Sequence, residues 1–300
     1  MLLAPIISGT GKNLMSSSHH PLLVFSDMDG CLLDHFSYSY AAARPALEKL
    51  NELHIPLILT SSKTFAELAV LSVELDLGAP FIVENGAGVI IPDAYFSVMP
   101  GGLIKSGGQW LKSFGPGRSE IINKLHQVRN DGGFSFRGFA DMSNSDVAAC
   151  TGLTEQQAVL ARERQFTEPI LWEDSEPRWQ EFAKRITEEG LCSIRGGRFI
   201  HITGGGDKGQ ALRWLRSCYH QQYGIEPLVM ALGDSENDVG MLAQADFPVV
   251  VRSPVHAPPA VAGRDDIMVT DKVGPEGWNL AVLDRLRFYS DSGFHNDSGQ

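Results

Sequence analysis

Short apolar runs alternate with amphipathic stretches in the first hundred residues. Residues 21–26 read PLLVFS, a continuous apolar run that is typical of a buried parallel strand. Leucines recur at helical spacing over 44–54, and 55–62 is a second apolar run. A helix is predicted over 64–78 from its threonine start, and 80–92 predicts a strand, a turn and a hairpin-like return. This order of strands and helices predicts a parallel sheet covered by helices.

The pattern changes near residue 98, where glycine-rich connectors begin. Between about 100 and 198, predicted helices are mixed with short strands, which indicates an α+β insert. A helix from 208, followed by apolar strands, then resumes the first pattern. We therefore predict an α/β fold with a Rossmann-like parallel-sheet core split by an inserted domain. The predicted divisions are a flexible tail at 1–20, the core at 21–98 and 199–288, the insert at 99–198 and a flexible tail at 289–300.

Composition narrows the possible partners. The 300 residues carry a formal net charge of −11, which argues against nucleic acid or an anionic membrane as the main partner. No apolar run approaches the ~20 residues of a membrane-spanning helix. The four cysteines match neither a zinc motif nor a disulfide framework, so we expect thiols in a reducing cytoplasm. The oligomeric state stays open.

Polar clusters follow three of the apolar runs. Asp27 and Asp29 follow the first run, Ser61 to Lys63 follow the second, and a third run ends in GDSEND at 233–238. Lys208 begins a helix that should lie nearby. Because ligands of open parallel sheets bind beyond the carboxyl ends of the strands, we expect these groups to converge. Carboxylates this close need a cation, and oxygen ligands without histidine or cysteine favour Mg²⁺.

This set of residues suits phosphoryl transfer. One carboxylate could attack phosphorus and form an aspartyl-phosphate, and a second could protonate the leaving oxygen and later activate water. A hydroxyl and an ammonium group would hold the phosphoryl oxygens.

Four ordered motifs resemble those of the haloacid dehalogenase-like phosphatases. They are D-x-D-G at 27–30, the hydroxyl of Ser61, Lys208, and G-D-x-x-N-D at 233–238, and the insert looks like the larger cap of that superfamily. The resemblance implies Asp27 as nucleophile and Asp29 as general acid and base, with Ser61 and Lys208 binding the phosphoryl group. The implied metal ligands are Asp27, Asp29 through its backbone carbonyl, Asp234 and Asp238. Cys31 departs from the pattern, which usually has threonine or serine after D-x-D-G.

Further stretches resemble the mannosyl-3-phosphoglycerate phosphatases. They include SSKTFAEL (61–68), ENGA (84–87), FRGFADM (136–142) and GPEGW (274–278). Those relatives release phosphate from mannosyl-3-phosphoglycerate and form mannosylglycerate, a compatible solute. The resemblance implies a Mg²⁺-dependent hydrolase of a phosphorylated glycoside. The glucosyl substrate, a broader sugar phosphatase, a phosphomutase and a non-enzymatic phosphate-binding relative remain alternatives.

Several polar residues are candidates for substrate binding. Arg164 is predicted on a helix, and Arg198 could bind a carboxylate through two hydrogen bonds. Glu84 and Asn85 follow a strand at the same edge as the acidic residues. The full candidate set is Ser62, Lys63, Glu84, Asn85, Arg164, Arg198 and Asn237.

Overall fold

The computed structural model describes residues 21–195 and 198–289. The predicted tails, apart from Tyr289, lie outside the described residues. The strands are β1 (Leu22–Ser26), β2 (Leu57–Thr60), β3 (Phe81–Val83), β4 (Gly88–Pro92), β5 (Ile104–Ser106), β6 (Gln109–Ser113), β7 (Phe136–Gly138), β8 (Thr167–Trp172), β9 (Cys192–Arg195), β10 (Ile200–Thr203), β11 (Leu228–Gly233), β12 (Phe247–Arg252) and β13 (Met268–Val273). The α-helices are α1 (Arg44–Glu52), α2 (Phe65–Glu74), α3 (Arg118–Gly132), α4 (Asn144–Thr151), α5 (Glu155–Arg162), α6 (Glu176–Glu188), α7 (Lys208–Tyr223), α8 (Val239–Leu242) and α9 (Gly274–Tyr289). None of these helices combines the length and the apolar character needed to cross a membrane.

A nine-stranded sheet forms the core, in the order β13-β12-β11-β1-β2-β3-β4-β6-β5. Every pair of neighbouring strands from β13 to β3 is parallel, and β1 lies between β11 and β2. Its side chains alternate between two buried clusters. Val24 packs with residues of α1 and α9, whereas Phe25 packs with residues of α7 and α8. Helices on both faces explain why β1 is apolar throughout, and the predicted parallel α/β core is confirmed.

The far end of this sheet differs from the prediction. Strands β4, β6 and β5 pair antiparallel, and β6 runs the length of β4. The β5–β6 turn is Gly107–Gly108, and both glycines have positive φ, as a two-residue hairpin turn of type I′ requires. The insert was predicted to begin at residue 99, whereas the strands up to Ser113 pair in the core sheet.

A second, four-stranded antiparallel sheet has the order β7-β8-β10-β9. Helices α3 and α6 pack on one of its faces, and α4 and α5 form a further cluster with Leu171 and Phe199. Strand β10 belongs to this sheet although the core was predicted to resume at 199. We propose residues 118–203 as the inserted unit and call it the cap.

Two helices end earlier than the sequence suggested. Helix α2 ends at Glu74, not near Gly78, and α5 ends at Arg162, so Arg164 lies in the loop before β8. Helix α4 was not predicted.

Candidate active site

Three parallel strands end at one edge of the core sheet, and their following loops carry the predicted site. Asp27 follows β1, Ser61 follows β2 and Asp234 follows β11. Lys208 is the first residue of α7, whose N-cap Asp207 accepts a hydrogen bond from the Gln210 amide at 2.8 Å. Asp207 caps the first turn of α7, so it fixes where this helix begins and where Lys208 lies.

Lys208 joins two acidic residues. Its Nζ donates to Asp27 Oδ1 and to Asp238 Oδ1, each at 2.6 Å, and its side chain is fully buried. Burial alone would lower the pKa of Lys208, but the adjacent Asp238 and Asp27 carboxylates raise it above its usual value. The lysine therefore stays charged. Asp27 Oδ2 makes no hydrogen bond with another described residue.

Three buried carboxylates lie within one small volume. One oxygen from each of Asp27, Asp234 and Asp238 lies within 4.8 Å of the others. Burial and then Asp238 raise the pKa of Asp27 well above its usual value and that of Asp234 to about 6. Asp238 Oδ2 is oriented by the amides of Asp234 and Ser235, both at 3.0 Å. Lys208 balances one of the three negative charges, so this donor set fits a hard divalent cation.

Asp29 is not part of this cluster. Its Oδ2 accepts a hydrogen bond from Lys63 Nζ at 2.6 Å, whereas Oδ1 is buried and has no hydrogen-bond partner in the described part of the chain. The carboxylate oxygens of Asp29 are thus not among the clustered ligands, which agrees with a contribution through its backbone carbonyl alone. Burial would lower the pKa of Lys63, but Asp29 and Glu67 raise it.

The loop after β2 is held in place by its backbone. Ser61 is buried, its amide donates to the Ile82 carbonyl at 3.0 Å, and its Oγ accepts from the Lys63 amide at 3.2 Å.

Cys31 is also fully buried. Burial, and then the nearby Asp27, raise the pKa of its thiol well above the usual value.

Asn85 and Asn237 join two of the active-site loops. Asn237 Nδ2 donates to Asn85 Oδ1 at 3.1 Å, and Asn237 Oδ1 accepts from Ser235 Oγ at 2.6 Å. These contacts orient the loop after β11 against the turn after β3.

Glu84 and Arg164, predicted to bind substrate, have other partners in the structure. The Glu84 carboxylate accepts hydrogen bonds from Gln165 and Thr167 of the cap, each at 2.7 Å. Arg164 Nη2 donates to the Ser62 carbonyl at 2.8 Å. Both side chains are buried where the cap meets the core, and their contacts join the two units. Arg198 is exposed and forms no hydrogen bond or ion pair with a described residue.

His256 lies beside the acidic cluster and was not predicted from the sequence. His256 Nε2 lies 3.2 Å from Asp234 Oδ2, on the loop that follows β12. That loop leaves the sheet at the same edge as the other site loops. The position of His256 after a parallel strand was the signal that could have found it.

The comparisons with known proteins agree with this geometry. The profile of the haloacid dehalogenase-like hydrolases matches residues 24–261. A relative from Methanococcoides burtonii is 39% identical over 264 residues, which cover 88% of this chain and 97% of the relative. A second, from Persephonella marina, is 33% identical over 264 residues, with 87% and 96% covered. Both are named glucosyl-3-phosphoglycerate/mannosyl-3-phosphoglycerate phosphatase.

Solved structures share the fold. A haloacid dehalogenase subclass IIB sugar phosphatase has a TM-score of 0.57 at 16% identity, and the match covers 91% of this chain and 99% of that one. A protein from Streptococcus mutans has a TM-score of 0.60 at 22% identity, with 89% and 98% covered. Together with the profile match and the two relatives, these findings show that the chain belongs to the haloacid dehalogenase-like hydrolases.

Proposed function

We propose that the chain is a Mg²⁺-dependent phosphatase that hydrolyses mannosyl-3-phosphoglycerate or its glucosyl counterpart to the glycosylglycerate and phosphate. The observation that carries the chemistry is the pairing of Asp27 with Lys208, which holds one carboxylate oxygen and leaves the other without a hydrogen bond to a described residue. The substrate class rests on the two relatives, which carry this activity in their names over most of the chain.

The acidic cluster fits the expected cation. Asp27, Asp234 and Asp238, together with the backbone carbonyl of Asp29, would hold Mg²⁺. When bound, the ion would supply positive charge that balances the buried carboxylates and the phosphoryl oxygens.

The chain's own residues supply the remaining steps. Asp27 Oδ2 attacks phosphorus, a new oxygen–phosphorus bond forms, and the bond to the glycerate oxygen breaks. Asp29 in its protonated form would give that leaving oxygen its proton from Oδ1, which has no other hydrogen-bond partner among the described residues, and the carboxylate so formed would later accept a proton from water. Water then attacks the aspartyl-phosphate and releases phosphate, which regenerates Asp27. Ser61 and Lys208 would hold the phosphoryl oxygens during both steps.

Phosphate release from the purified protein tests this proposal. The substrates are mannosyl-3-phosphoglycerate, glucosyl-3-phosphoglycerate, 3-phosphoglycerate, mannose-6-phosphate and sucrose-6-phosphate, each with Mg²⁺ or EDTA. We expect a strong preference for the two glycosyl-phosphoglycerates and loss of activity in EDTA. Similar rates on all five would overturn the substrate assignment.

The nucleophile is tested separately by Asp27→Asn, with Asp271→Asn on the exposed surface of β13 as its matched control. The first variant should lose turnover, whereas the second should keep it. An active Asp27→Asn protein would refute the aspartyl-phosphate mechanism.

A further inference from the structure

A short segment of the cap is packed into the core. Residues Arg164–Thr167, which we call the anchor segment, comprise the end of the loop after α5 and the first residue of β8. The Phe166 side chain belongs to the core cluster that includes Val83 and Ala87. A Cβ atom on Gly88 would lie 2.3 Å from the Phe166 ring, so a glycine at this position of β4 leaves room for the ring. The cap is therefore fixed to the core at a point distant in sequence from its two ends.

The carboxylate of Glu84, a core residue, accepts hydrogen bonds from three residues of the anchor segment. Glu84 is 1% exposed, and its two oxygens accept hydrogen bonds from the Gln165 amide at 2.7 Å, the Phe166 amide at 3.2 Å and the Thr167 hydroxyl at 2.7 Å. Arg164 Nε lies 3.5 Å from the same carboxylate. Because a carboxylate has about four acceptor positions, these contacts leave little capacity for a substrate hydroxyl.

The same turn also holds the loop that is proposed to bind phosphate. The Glu84 amide donates to the Lys63 carbonyl and the Asn85 amide to the Ser61 carbonyl, both at 2.9 Å. Arg164 of the cap also donates to this loop, at the Ser62 carbonyl. The φ angles of Glu84 and Asn85 are 52° and 60°, a region that residues with side chains seldom adopt. Strained backbone of this kind persists where the surrounding contacts determine it, often at functional sites.

We propose that Glu84 is a positioning residue that fixes the cap over the Ser61–Lys63 loop through the anchor segment and so sets activity on substrates with a large leaving group. This inference rests on the proposed phosphatase function. It assigns Glu84 no contact with substrate. In this proposal the leaving group of a glycosyl-phosphoglycerate would extend from the phosphate toward the cap, and its orientation would depend on where the cap is held. A small aryl phosphate needs the acidic cluster and Lys208 but little of the cap.

The test compares two substrates in one variant. Glu84→Gln keeps the side-chain shape but removes the charge and places an amide donor opposite other donors. We expect kcat/KM for mannosyl- or glucosyl-3-phosphoglycerate to fall at least tenfold relative to kcat/KM for p-nitrophenyl phosphate. Hydrogen exchange at the Gln165 and Phe166 amides should become faster without substrate. Thr167→Val, a milder change in the same contact, should shift both readouts in the same direction by less.

Glu168→Gln is the matched control. Glu168 is also 1% exposed, but its partners, the Arg118 guanidinium at 2.7 Å and the Ala140 amide at 2.6 Å, both lie within the cap. This variant should leave the ratio of the two kcat/KM values unchanged. An unchanged ratio in both Glu84→Gln and Thr167→Val, or an equal fall for both substrates, would overturn the inference. Wild-type protein that hydrolyses p-nitrophenyl phosphate but neither glycosyl substrate would instead overturn the proposed function, and this inference with it.

Discussion

Replacing Lys208 by methionine removes the positive charge from the centre of the acidic cluster while keeping the length of the side chain. The lysine is buried between Asp27 and Asp238 at 2.6 Å from each, and Asp234 lies in the same cluster. Removal of one partner from a buried ion pair costs about 3–5 kcal/mol, because it leaves an uncompensated charge. In Lys208→Met, three carboxylates lose their shared cation. We expect the free energy of unfolding in EDTA near pH 7 to fall by at least about 3 kcal/mol.

The sign of the pH dependence follows from the same charges. Without the lysine, the pKa values of Asp27 and Asp234 rise further above those of the unfolded chain. A raised carboxyl pKa costs stability only where the group is ionised, so the loss should be greatest at neutral pH and should shrink on acidification. Saturating Mg²⁺ should also reduce the loss, because the ion binds the folded cluster.

Urea denaturation followed by circular dichroism measures these effects. Lys184→Met is the matched control, since Lys184 lies on the exposed face of α6 with 79% of its side chain accessible. It should change stability by less than about 0.5 kcal/mol. The reasoning fails if Lys208→Met costs under about 1 kcal/mol, or if its cost is independent of both pH and Mg²⁺.

Three further predictions concern the cation, the core–cap contact and the buried thiol. Because the pKa of Asp234 is raised to about 6, Mg²⁺ must displace a proton below that pH, so calorimetry should give an Mg²⁺ dissociation constant that increases as the pH falls through 6. A constant value from pH 5 to 8, expected of groups with ordinary values near ~4, would contradict this assignment. Gly88→Ala places a methyl group against the Phe166 ring and should cost about 1–3 kcal/mol in thermal unfolding; an unchanged Tm would show that the ring can move aside. Iodoacetamide should label the exposed Cys192 but not the native Cys31, as mass spectrometry would show, and labelling of both at equal rates would refute the burial of Cys31.

Much of the core could be predicted from sequence because its strands are buried on both faces. The apolar runs of β1 and β2 match strands within two residues at each end, and the acidic residues after β1 and β11 lie close together as expected. Strand β5 was not predicted, because it is not buried as those strands are. All three of its residues are exposed and glycines flank it, so it shows neither a continuous apolar run nor an alternation of apolar and polar residues.

The contact partners of Glu84 and Arg164 could not be predicted from sequence. A polar residue after a strand at the active edge is compatible with a substrate contact, and Arg164 was assigned to a helix that in fact ends at Arg162. Their partners come from segments about 80 residues apart, which meet through the Gln165 amide and the Glu84 carboxylate. No local pattern reports such a contact.

The central position of β1 has a consequence for the synthesis of the chain. Its neighbour β11 begins at Leu228, more than 200 residues after β1, and pairs with it along its whole length. At ribosomal rates the β1 edge would wait roughly 10–40 s for this partner. During that time an open edge with the sequence LLVFS is a template for pairing with other chains. Nascent chains that stall before Leu228 are therefore expected to aggregate and to depend on chaperones that cover this strand.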